Sequence, residues 1–431
     1  MRQRLVMAFV FIFVVACILS GCSGGNEGAS GKRSGEGSSG HSDQKVDLTL
    51  TMWGSESDKQ VMEKRLAIMN KTYPNYNVNV LLVAGEYDQK VQTMIAGGTP
   101  PDIMMIAENY QVYASKNQII PLDDLMTANQ FHLNETYSED VASLMSYDGK
   151  HYGMVDRAGA MVVFYNKDLF DKAGVAYPSK DWTQKEMLEA AKKLTVKEAG
   201  KTVQWGYYPG SWWPQWMQLV YQNGGSLFDD NNKPTFDTPQ VREALQLLND
   251  MNYKYGTSPT PVEIADMGNI GADPLFAQGK IAMETTGFWN MGSLSKVEGI
   301  NWDISPVWGE TNAFFNGLTI TKDSAHQEEA FKVIAALTTL EAQMPIIESG
   351  QDAPATKAAL ASDAFLNAEY GGQKINMNAF GESKLYKQPL NPKWNEMMKI
   401  IDDKLAPFFF NKTSLDDTVQ QIQQGLDKLY K

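Results

Sequence analysis

Short strand-like segments alternate with longer helical ones near the start of the folded chain, and this alternation limits the fold more than any other sequence feature. Residues 46–53 alternate polar and apolar side chains, which is typical of a half-buried strand. Residues 103–106 are all apolar, the pattern of a short buried strand. Two segments with helical spacing lie between them, ending at Pro74 and Gly97, and they enclose one more strand. This β-α-β-α-β order predicts a mainly parallel sheet with helices on both faces.

The carboxyl ends of such parallel strands are the expected place for a ligand. Trp53 ends the first predicted strand, and Glu108 comes just after the third. An α/β pattern continues downstream, including a helix that begins after Thr183 with Glu186 placed to complete a capping box. With 431 residues, the chain is long enough for two lobes and a leader.

The first 22 residues have the pattern of a secretory signal. Arg2 and Arg4 precede an apolar run, and Leu19-Ser20-Gly21 leads into Cys22. A cysteine directly after the cut resembles the lipobox of bacterial lipoproteins, in which that cysteine carries lipid. We therefore expect a signal peptide at 1–21 and lipidation of Cys22. A membrane anchor helix is the alternative, but the apolar run is shorter than the ~20 residues of a membrane span.

Residues 22–45 are rich in glycine and serine, a composition that cannot bury a core. We expect them to form a flexible tether between the lipid and the folded part. The protein would then work on the extracellular face of the cytoplasmic membrane.

Charge and cysteine content exclude several classes of function. The net charge of −13 argues against nucleic acid or anionic lipid as the main partner. The chain has two cysteines, Cys17 in the signal and Cys22, so the folded part has no thiol for a disulfide, a metal or a nucleophile. None of the four histidines shares a zinc-site spacing with another. We expect no cofactor and no catalytic residue, while a carboxylate site for a hard cation stays open.

Seven short motifs, in a fixed order, resemble those of the bacterial extracellular solute-binding proteins, the sugar receptors of ABC importers. The first contains Pro100-Pro101-Asp102-Ile103, and another is Tyr165-Asn166-Lys167-Asp168. One such motif is weak, but the ordered set covers nearly all of residues 46–431. The seven segments are 97–103, 119–125, 147–153, 165–170, 182–183, 223–225 and 276–283.

This resemblance implies a maltose-binding-protein-like α/β fold of type II. Each of two lobes would hold a mainly parallel sheet flanked by helices, with a ligand cleft at the hinge. We expect one lobe at 46–155 plus 302–341 and the other at 156–301 plus 342–431. Hinge closure around a ligand is known for periplasmic binding proteins, so closure is part of what the resemblance implies.

The function implied is capture of a carbohydrate, an oligosaccharide, and its delivery to an ABC permease without covalent chemistry. The protein would be a monomeric lipoprotein, and lipoboxes are common in such receptors from Gram-positive bacteria. Two departures affect the ligand. Met154-Val155-Asp156-Arg157 stands where the family usually has a proline-containing segment near the first crossover, and Phe314-Phe315-Asn316-Gly317 replaces a more Gly-rich turn. The fold assignment does not depend on either segment.

Aromatic residues are the first candidates for the site, because a sugar offers C–H faces that stack on aromatic planes. The chain has ten tryptophans. Trp212 and Trp213 follow a Pro-Gly-Ser loop, and Trp289 matches a position where the family stacks on sugar. Trp53 and Trp394 complete the aromatic candidates. The alternative for each is burial in the core, the usual state of tryptophan.

Polar candidates for the sugar hydroxyls are Glu108, Asp156 and Arg157, followed by Glu56 and Asp352. For each of these the alternative is a solvated or structural charge.

Two further functions remain open at this point. A surface glycoside hydrolase would need two facing carboxyl groups ~5–9.5 Å apart, and no motif indicates such a pair. The same fold could also bind a non-sugar solute or act as the co-receptor of a sensor.

Overall fold

The computed structural model describes residues 45–229, 231–386 and 388–431. The predicted signal peptide, Cys22 and nearly all of the predicted tether lie outside the described residues. The strands are β1 Val46–Met52, β2 Tyr76–Leu82, β3 Ile103–Ile106, β4 Ser146–Tyr147, β5 Lys150–His151, β6 Met154–Ala160, β7 Val162–Asn166, β8 Val196–Glu198, β9 Lys201–Gln204, β10 Met283–Thr286, β11 Trp302–Pro306, β12 Glu310–Thr311, β13 Ala313–Ile320, β14 Glu369–Tyr370, β15 Gln373–Lys374 and β16 Lys384–Leu385.

The helices are α1 Glu56–Met69, α2 Tyr87–Ala96, α3 Tyr110–Ser115, α4 Asp123–Ala128, α5 Leu133–Thr136, α6 Glu139–Ser143, α7 Lys167–Ala173, α8 Gln184–Leu194, α9 Trp213–Gln222, α10 Pro239–Asp250, α11 Pro261–Asp266, α12 Ala272–Ala277, α13 Asn290–Leu294, α14 Gln327–Ala336, α15 Leu340–Ser349, α16 Lys357–Leu360, α17 Asp363–Leu366, α18 Asn378–Glu382, α19 Trp394–Phe409 and α20 Leu415–Leu429. A π-helical turn, Met251–Tyr255, extends α10. The predicted capping box is confirmed, since Thr183 and Glu186 cap α8.

A five-stranded sheet has the order β2-β1-β3-β13-β6. β1 is parallel to β2 and to β3, and β13 lies antiparallel between β3 and β6. Four strands therefore run in one direction and β13 runs in the other. The sheet buries its apolar residues under α1 and α14, with Leu50, Met62 and Phe331 in one cluster.

A second sheet has the order β10-β7-β11, with β7 antiparallel to both neighbours. Trp205 forms a parallel bridge with Ile281, and Tyr208 forms one with Glu284. Residues 205–208 therefore lie beside β10, parallel to it. Both strand pairs of this sheet are antiparallel, and β10 and β11 run in the same direction on either side of β7. The predicted parallel order therefore holds for β10 and β11 as strand directions, but not for the pairs that each makes with β7. Phe164 and Trp302 stack on one face of this sheet, with ring centres 5.6 Å apart.

Two crossovers join the sheets. β6 leads through Met161 into β7, and the chain returns from β11 through Asn312 into β13. The two passages touch each other, because the Met161 N–H donates to the Asn312 carbonyl at 3.1 Å. A third passage lies beside β6, where the Ala158 N–H donates to the Ala353 carbonyl.

Strand pairing differs from the predicted lobe boundaries at both crossovers. Residues 156–160, expected in the second lobe, pair with β13 in the first sheet. Residues 302–306, expected in the first lobe, pair with β7 in the second sheet. At the first crossover β6 and β7 are separated only by Met161, so the local sequence pattern gives no boundary there.

Among the described residues, no single helix is long and apolar enough to cross a membrane. α14 and α15 reach the required length and composition only as a pair, with a 62° bend between them.

A buried ion pair connects α1 to β6. Both side chains are almost fully buried, and the Arg65 guanidinium binds both oxygens of Asp156, with one contact at 2.9 Å. Arg65 also donates to the Ala342 carbonyl at 2.8 Å and to the Leu337 carbonyl at 3.0 Å. Burial alone would raise the pKa of Asp156, but the Arg65 and Arg157 charges outweigh it and hold this pKa below its ordinary value.

We expect Asp156→Asn to lower the free energy of unfolding by about 3–5 kcal/mol, because it leaves the buried Arg65 charge uncompensated. Urea denaturation at neutral pH measures this loss. Because the pKa of Asp156 is depressed, its contribution is present above the unfolded-state pKa and is lost as pH falls, so the difference from wild type shrinks in acid.

Asp250→Asn is the matched control, since Asp250 pairs with the exposed Lys254 at 2.9 Å. It is expected to cost less than about 1 kcal/mol. Equal losses in the two variants would contradict a special role for the buried pair.

Candidate ligand-binding site

Four tryptophan rings gather around Phe314 on β13, and these five residues form what we call the aromatic cluster. Trp212 stacks on Phe314 with ring centres 5.2 Å apart, and Trp289 meets Phe314 edge-on at 5.1 Å. Trp213 lies 5.9 Å from Phe314 and 5.2 Å from Trp394. Four of these five are predicted site residues, so the structure brings together Trp212, Trp213, Trp289 and Trp394. Trp212 is 48% exposed, so the cluster presents an aromatic plane to solvent.

The loop that carries Trp212 is held at both ends. The Tyr208 N–H donates to the Met283 carbonyl at 3.1 Å, and the Trp212 N–H donates to Gln215 Oε1 at 3.1 Å. Gly210 has a φ of +75°, and a side chain there would overlap Gln215. The loop conformation therefore depends on a residue without a Cβ.

Trp289 depends on a glycine in a different way. Its ring lies where a Cβ on Gly287 would be, so only glycine lets the indole fold back over the turn that follows β10. The next residue, Asn290, begins α13 and donates to the buried Glu284 at 2.8 Å.

A group of charges, which we call the charged cluster, lies at a β-bulge in β6. The register between β6 and β13 shifts after Asn316, which leaves Asp156 as the extra residue and re-aims the side chains there. Arg157 is 4% exposed, and its guanidinium lies 3.4 Å from Asp156, 3.6 Å from Asp58 and 3.8 Å from Asp352. These four residues form the cluster.

Two nitrogens of the Arg157 guanidinium are not used in hydrogen bonds within the described part of the chain. Among the described residues, its Nε and Nη2 have no hydrogen-bond partner. A buried donor without a partner costs free energy, so these nitrogens are suited to a group brought in by a ligand.

Asp352 is the second unusual group of the charged cluster. Burial raises the pKa of Asp352 to about 6, although the Arg157 charge acts in the opposite direction. The Asn316 amide lies 3.5 Å from its carboxyl. Part of the population is therefore protonated close to neutral pH, and the carboxyl can donate as well as accept a hydrogen bond.

The two clusters share one face of the crossover pair. In the β6–β13 ladder, Asn316 is opposite Arg157 and Phe314 is opposite Gly159. Side chains alternate along a strand, so these positions point the same way and successive ones lie about 7 Å apart. Gly159 has no side chain opposite Phe314, and the Ala353 side chain packs there, 3.4 Å from where a Cβ on Gly159 would be.

The remaining predicted residues lie in different settings. Trp53 packs edge-on against Tyr87 at 5.0 Å. Glu56 is exposed in the first turn of α1, two residues before Asp58. Glu108 is half-buried after β3, and burial raises its pKa to about 7. Asp156 is fully engaged by Arg65, so it supports Arg157 and does not face open space.

Sequence reasoning missed Phe314, Asp58 and Asn316. Phe314 and Asn316 lie in the segment that departs from the family's Gly-rich turn, and the sequence alone gives no reason to prefer one of its side chains to another. Asp58 resembles any helix-start carboxylate, and it does hold the N-terminus of α1 in a capping box with Ser55.

Other features of the described part are less suited to a ligand with apolar faces. A cavity of about 420 Å³ is lined mainly by polar residues, including Glu139, His151 and Lys357, and by no predicted site residue. No group of three or more His, Cys, Asp or Glu side chains among residues 45–229, 231–386 and 388–431 is arranged to hold a metal ion.

Comparison with known proteins identifies the family. The family model for bacterial extracellular solute-binding proteins matches residues 54–344, which is more than half of the chain. The protein belongs to this family. Its members bind substrates and are not enzymes, and they work in the extracellular space or the periplasm.

Two curated relatives of this solute-binding protein are arabinooligosaccharide-binding proteins. The one from Halalkalibacterium halodurans is 25% identical over 54% of this chain and 52% of its own length. The one from Bacillus subtilis is 26% identical over 72% of this chain and 63% of its own length. The matches thus span about half to two thirds of these relatives.

Solved structures confirm the predicted two-lobed, type II fold of this solute-binding protein. The ABC substrate-binding protein Lmo0181 from Listeria monocytogenes, in complex with cycloalternan, is 28% identical and has a TM-score of 0.81 over 90% of this chain and 99% of its own. Maltose-bound MalE3 from T. maritima, at 20% identity, has a TM-score of 0.75 over 89% of this chain and 100% of its own.

A buried acid on β10, five residues before Trp289, gives a test of how this part of the site is stabilised. Glu284 on β10 is fully buried; its Oε1 accepts from Asn290, while Oε2 has no donor among the described residues. Burial raises the pKa of Glu284 well above its ordinary 4.5, and the neighbouring Asp273 carboxyl adds to the rise.

We expect Glu284→Gln to be more stable than wild type at neutral pH, because the unfolded chain ionises this acid whereas burial opposes its ionisation in the folded state. Because the folded state raises the pKa of Glu284, its contribution to stability is fully present below the unfolded-state pKa and is lost as pH rises. The amide cannot ionise, so the variant's advantage shrinks as pH falls towards 4.5. Thermal unfolding across that range measures it. Glu298→Gln, at an exposed position, is the control, and parallel pH profiles for the two variants would contradict the argument.

Proposed function

We propose that this solute-binding protein captures a carbohydrate, in particular an oligosaccharide, between its lobes and delivers it to an ABC permease. The observation that carries the proposal is the position of the aromatic cluster beside Arg157 on one face of the crossover pair. Planar rings and unpaired buried donors are the two features that a sugar requires of a site.

The chemistry of the two clusters fits a neutral sugar. A pyranose or furanose ring would stack its C–H face on Trp212 or Trp289. Its hydroxyl groups would accept from Arg157 and exchange hydrogen bonds with Asp352 and Asn316. The charged cluster holds one guanidinium and three carboxyl groups, so a ligand with its own negative charge would meet repulsion there.

Similar proteins bind ligands of this class. The two curated relatives are named for arabinooligosaccharides, and the solved structures contain cycloalternan and maltose. A further structure with a TM-score of 0.77, at 22% identity, holds mannotriose. These ligands differ in sugar and in linkage, so they support the class of ligand and leave its identity open.

Closure on the ligand would bend the crossovers. We place the lobe boundaries at Met161 and at residues 307–312, so that one lobe holds 46–160 with 313–341 and the other holds 162–306 with 342–431. Phe314 belongs to the first sheet, whereas Trp212 and Trp289 flank β10 of the second. A sugar that stacks on the exposed Trp212 and also reaches Arg157 of β6 would contact both lobes, and such contacts would favour the closed state.

Lipid on Cys22 would keep the receptor near its permease. Residues 1–21 would be removed as a signal peptide, and the Gly- and Ser-rich residues that follow would act as a flexible tether. A tether raises the effective concentration of the receptor at its membrane partner.

Calorimetry against a panel of arabino-, manno-, malto- and cello-oligosaccharides tests the ligand class. We expect at least one to bind, and Trp289→Ala to weaken that binding by about tenfold or more, since a stacking ring at the centre of a site is a typical binding hot spot. Trp182→Ala is the matched control, because Trp182 packs against a separate core cluster.

Absence of binding across the panel would refute the carbohydrate proposal. Binding that survives Trp289→Ala unchanged would move the site away from the aromatic cluster. Shortened products after long incubation would show a hydrolase.

Cys22→Ala tests the anchor. We expect the variant to be released into the medium while its affinity for sugar stays that of wild type, because the lipid attaches outside the folded lobes. Fractionation of cells and culture medium measures the release. Retention of the variant in the membrane would contradict lipidation at this residue.

A further inference from the structure

A second cavity lies behind the loop that carries Trp212. It has a volume of about 160 Å³, and residues 208–211 form one of its walls. The opposite walls come from the π-helical turn after α10, the start of α11, and Phe409 and Phe410 at the end of α19. None of the residues of the aromatic or charged clusters lines it.

The chemistry of the lining selects a neutral polar ligand. Among the described residues that line the cavity, none carries a charge. Phe410, which is 40% exposed, and Tyr208 supply ring surface, whereas Asn252 and Asn269 supply amides. No described residue hydrogen-bonds these two amide side chains, so both are available to a ligand.

Ser258 gives an independent indication of a ligand. Its side chain is 1% exposed, and among the described residues its hydroxyl has no hydrogen-bond partner. Its backbone is fixed beneath the cavity, since the Ser258 N–H donates to the Met251 carbonyl at 3.3 Å. A buried hydroxyl in the wall of a cavity is expected to bond something that enters it.

We propose that this cavity is a second binding site, for a single neutral sugar ring. An apolar cavity of about 150 Å³ holds benzene, so about 160 Å³ holds the ring of a pyranose, with part of its hydroxyl rim at the opening beside the exposed Phe410. Aromatic surface, two amides and a hydroxyl without any charge match the C–H faces and hydroxyl rim of that ring. The inference shares with the proposed function only the class of ligand.

The location gives the site a consequence for the main cleft. Residues 209–211 contact the cavity on one side and lead directly into Trp212 on the other. A ring in the cavity would restrain the loop and hence the Trp212 plane. Occupation of the second site would therefore change affinity in the cleft, and the effect must be reciprocal.

Saturation-transfer NMR with methyl glycosides of glucose, galactose, mannose, xylose and arabinose tests the proposal on the full folded chain. We expect ring-proton signals from at least one glycoside in wild type and in Trp289→Ala, where the cleft is impaired. Ile264→Trp fills the cavity and is expected to lower the affinity by about tenfold or more, whereas Ile264→Val keeps it open and retains the signal. Ser258→Ala, which leaves the cavity open but removes its hydroxyl, is expected to weaken binding by a few-fold and replaces Ile264→Trp should that variant not fold.

Three results would overturn the proposal. One is the absence of any glycoside signal in Trp289→Ala. Another is an unchanged signal in both Ile264→Trp and Ser258→Ala. The third is binding of cyclohexanol as tight as that of any glycoside, since it would show an apolar pocket without recognition of hydroxyl groups. Loss of oligosaccharide binding in calorimetry bears only on the cleft, so the failures of the two proposals are distinguishable.

Discussion

The buried pair of Arg65 and Asp156 is the interaction on which the rest of the binding site depends. A guanidinium with no access to water needs hydrogen-bond partners inside the protein, and each of the three Arg65 nitrogens finds one, at the β6 bulge or at two carbonyls around the start of α15. Gln343 joins the same network through the Asp156 and Leu337 carbonyls. Asp156 is thereby fixed, and Arg157, one residue on, is held against Asp58 and Asp352 instead of swinging into solvent.

The strand and helix order at the start of the folded chain could be predicted from periodicity, and the capping box at Thr183 from three-residue spacing. The points where the chain passes from one sheet to the other could not be predicted in this way. β6 and β7 are separated only by Met161, and the point where the chain leaves one sheet for the other is decided by the partner strands β13 and β10, which lie more than a hundred residues away. Local sequence carries no information about such partners.

The candidate site likewise has residues that could be predicted from the sequence and residues that could not. Tryptophans beside glycines and prolines were recognisable as candidates, and the structure gathers four of the five around one point. That point, Phe314, could not be recognised, because its role comes from the register that puts it opposite Gly159 and on the face of Arg157. Asp156 and Arg157 are adjacent in sequence and look alike as candidates, but the bulge sends one to a structural partner and leaves the other with unpaired donors.

The two crossovers run side by side and are joined by two hydrogen bonds. The Met161 N–H donates to the Asn312 carbonyl, and the Thr311 hydroxyl donates to the Met161 carbonyl. A single chain connection between two lobes permits both bending and twisting. Two connections bonded along their length, with the third passage bonded beside β6, resist twisting more than bending. A ligand that contacts both sides would then act on the same bending motion, and a protein built this way can change its preferred ligand by altering side chains without altering that motion.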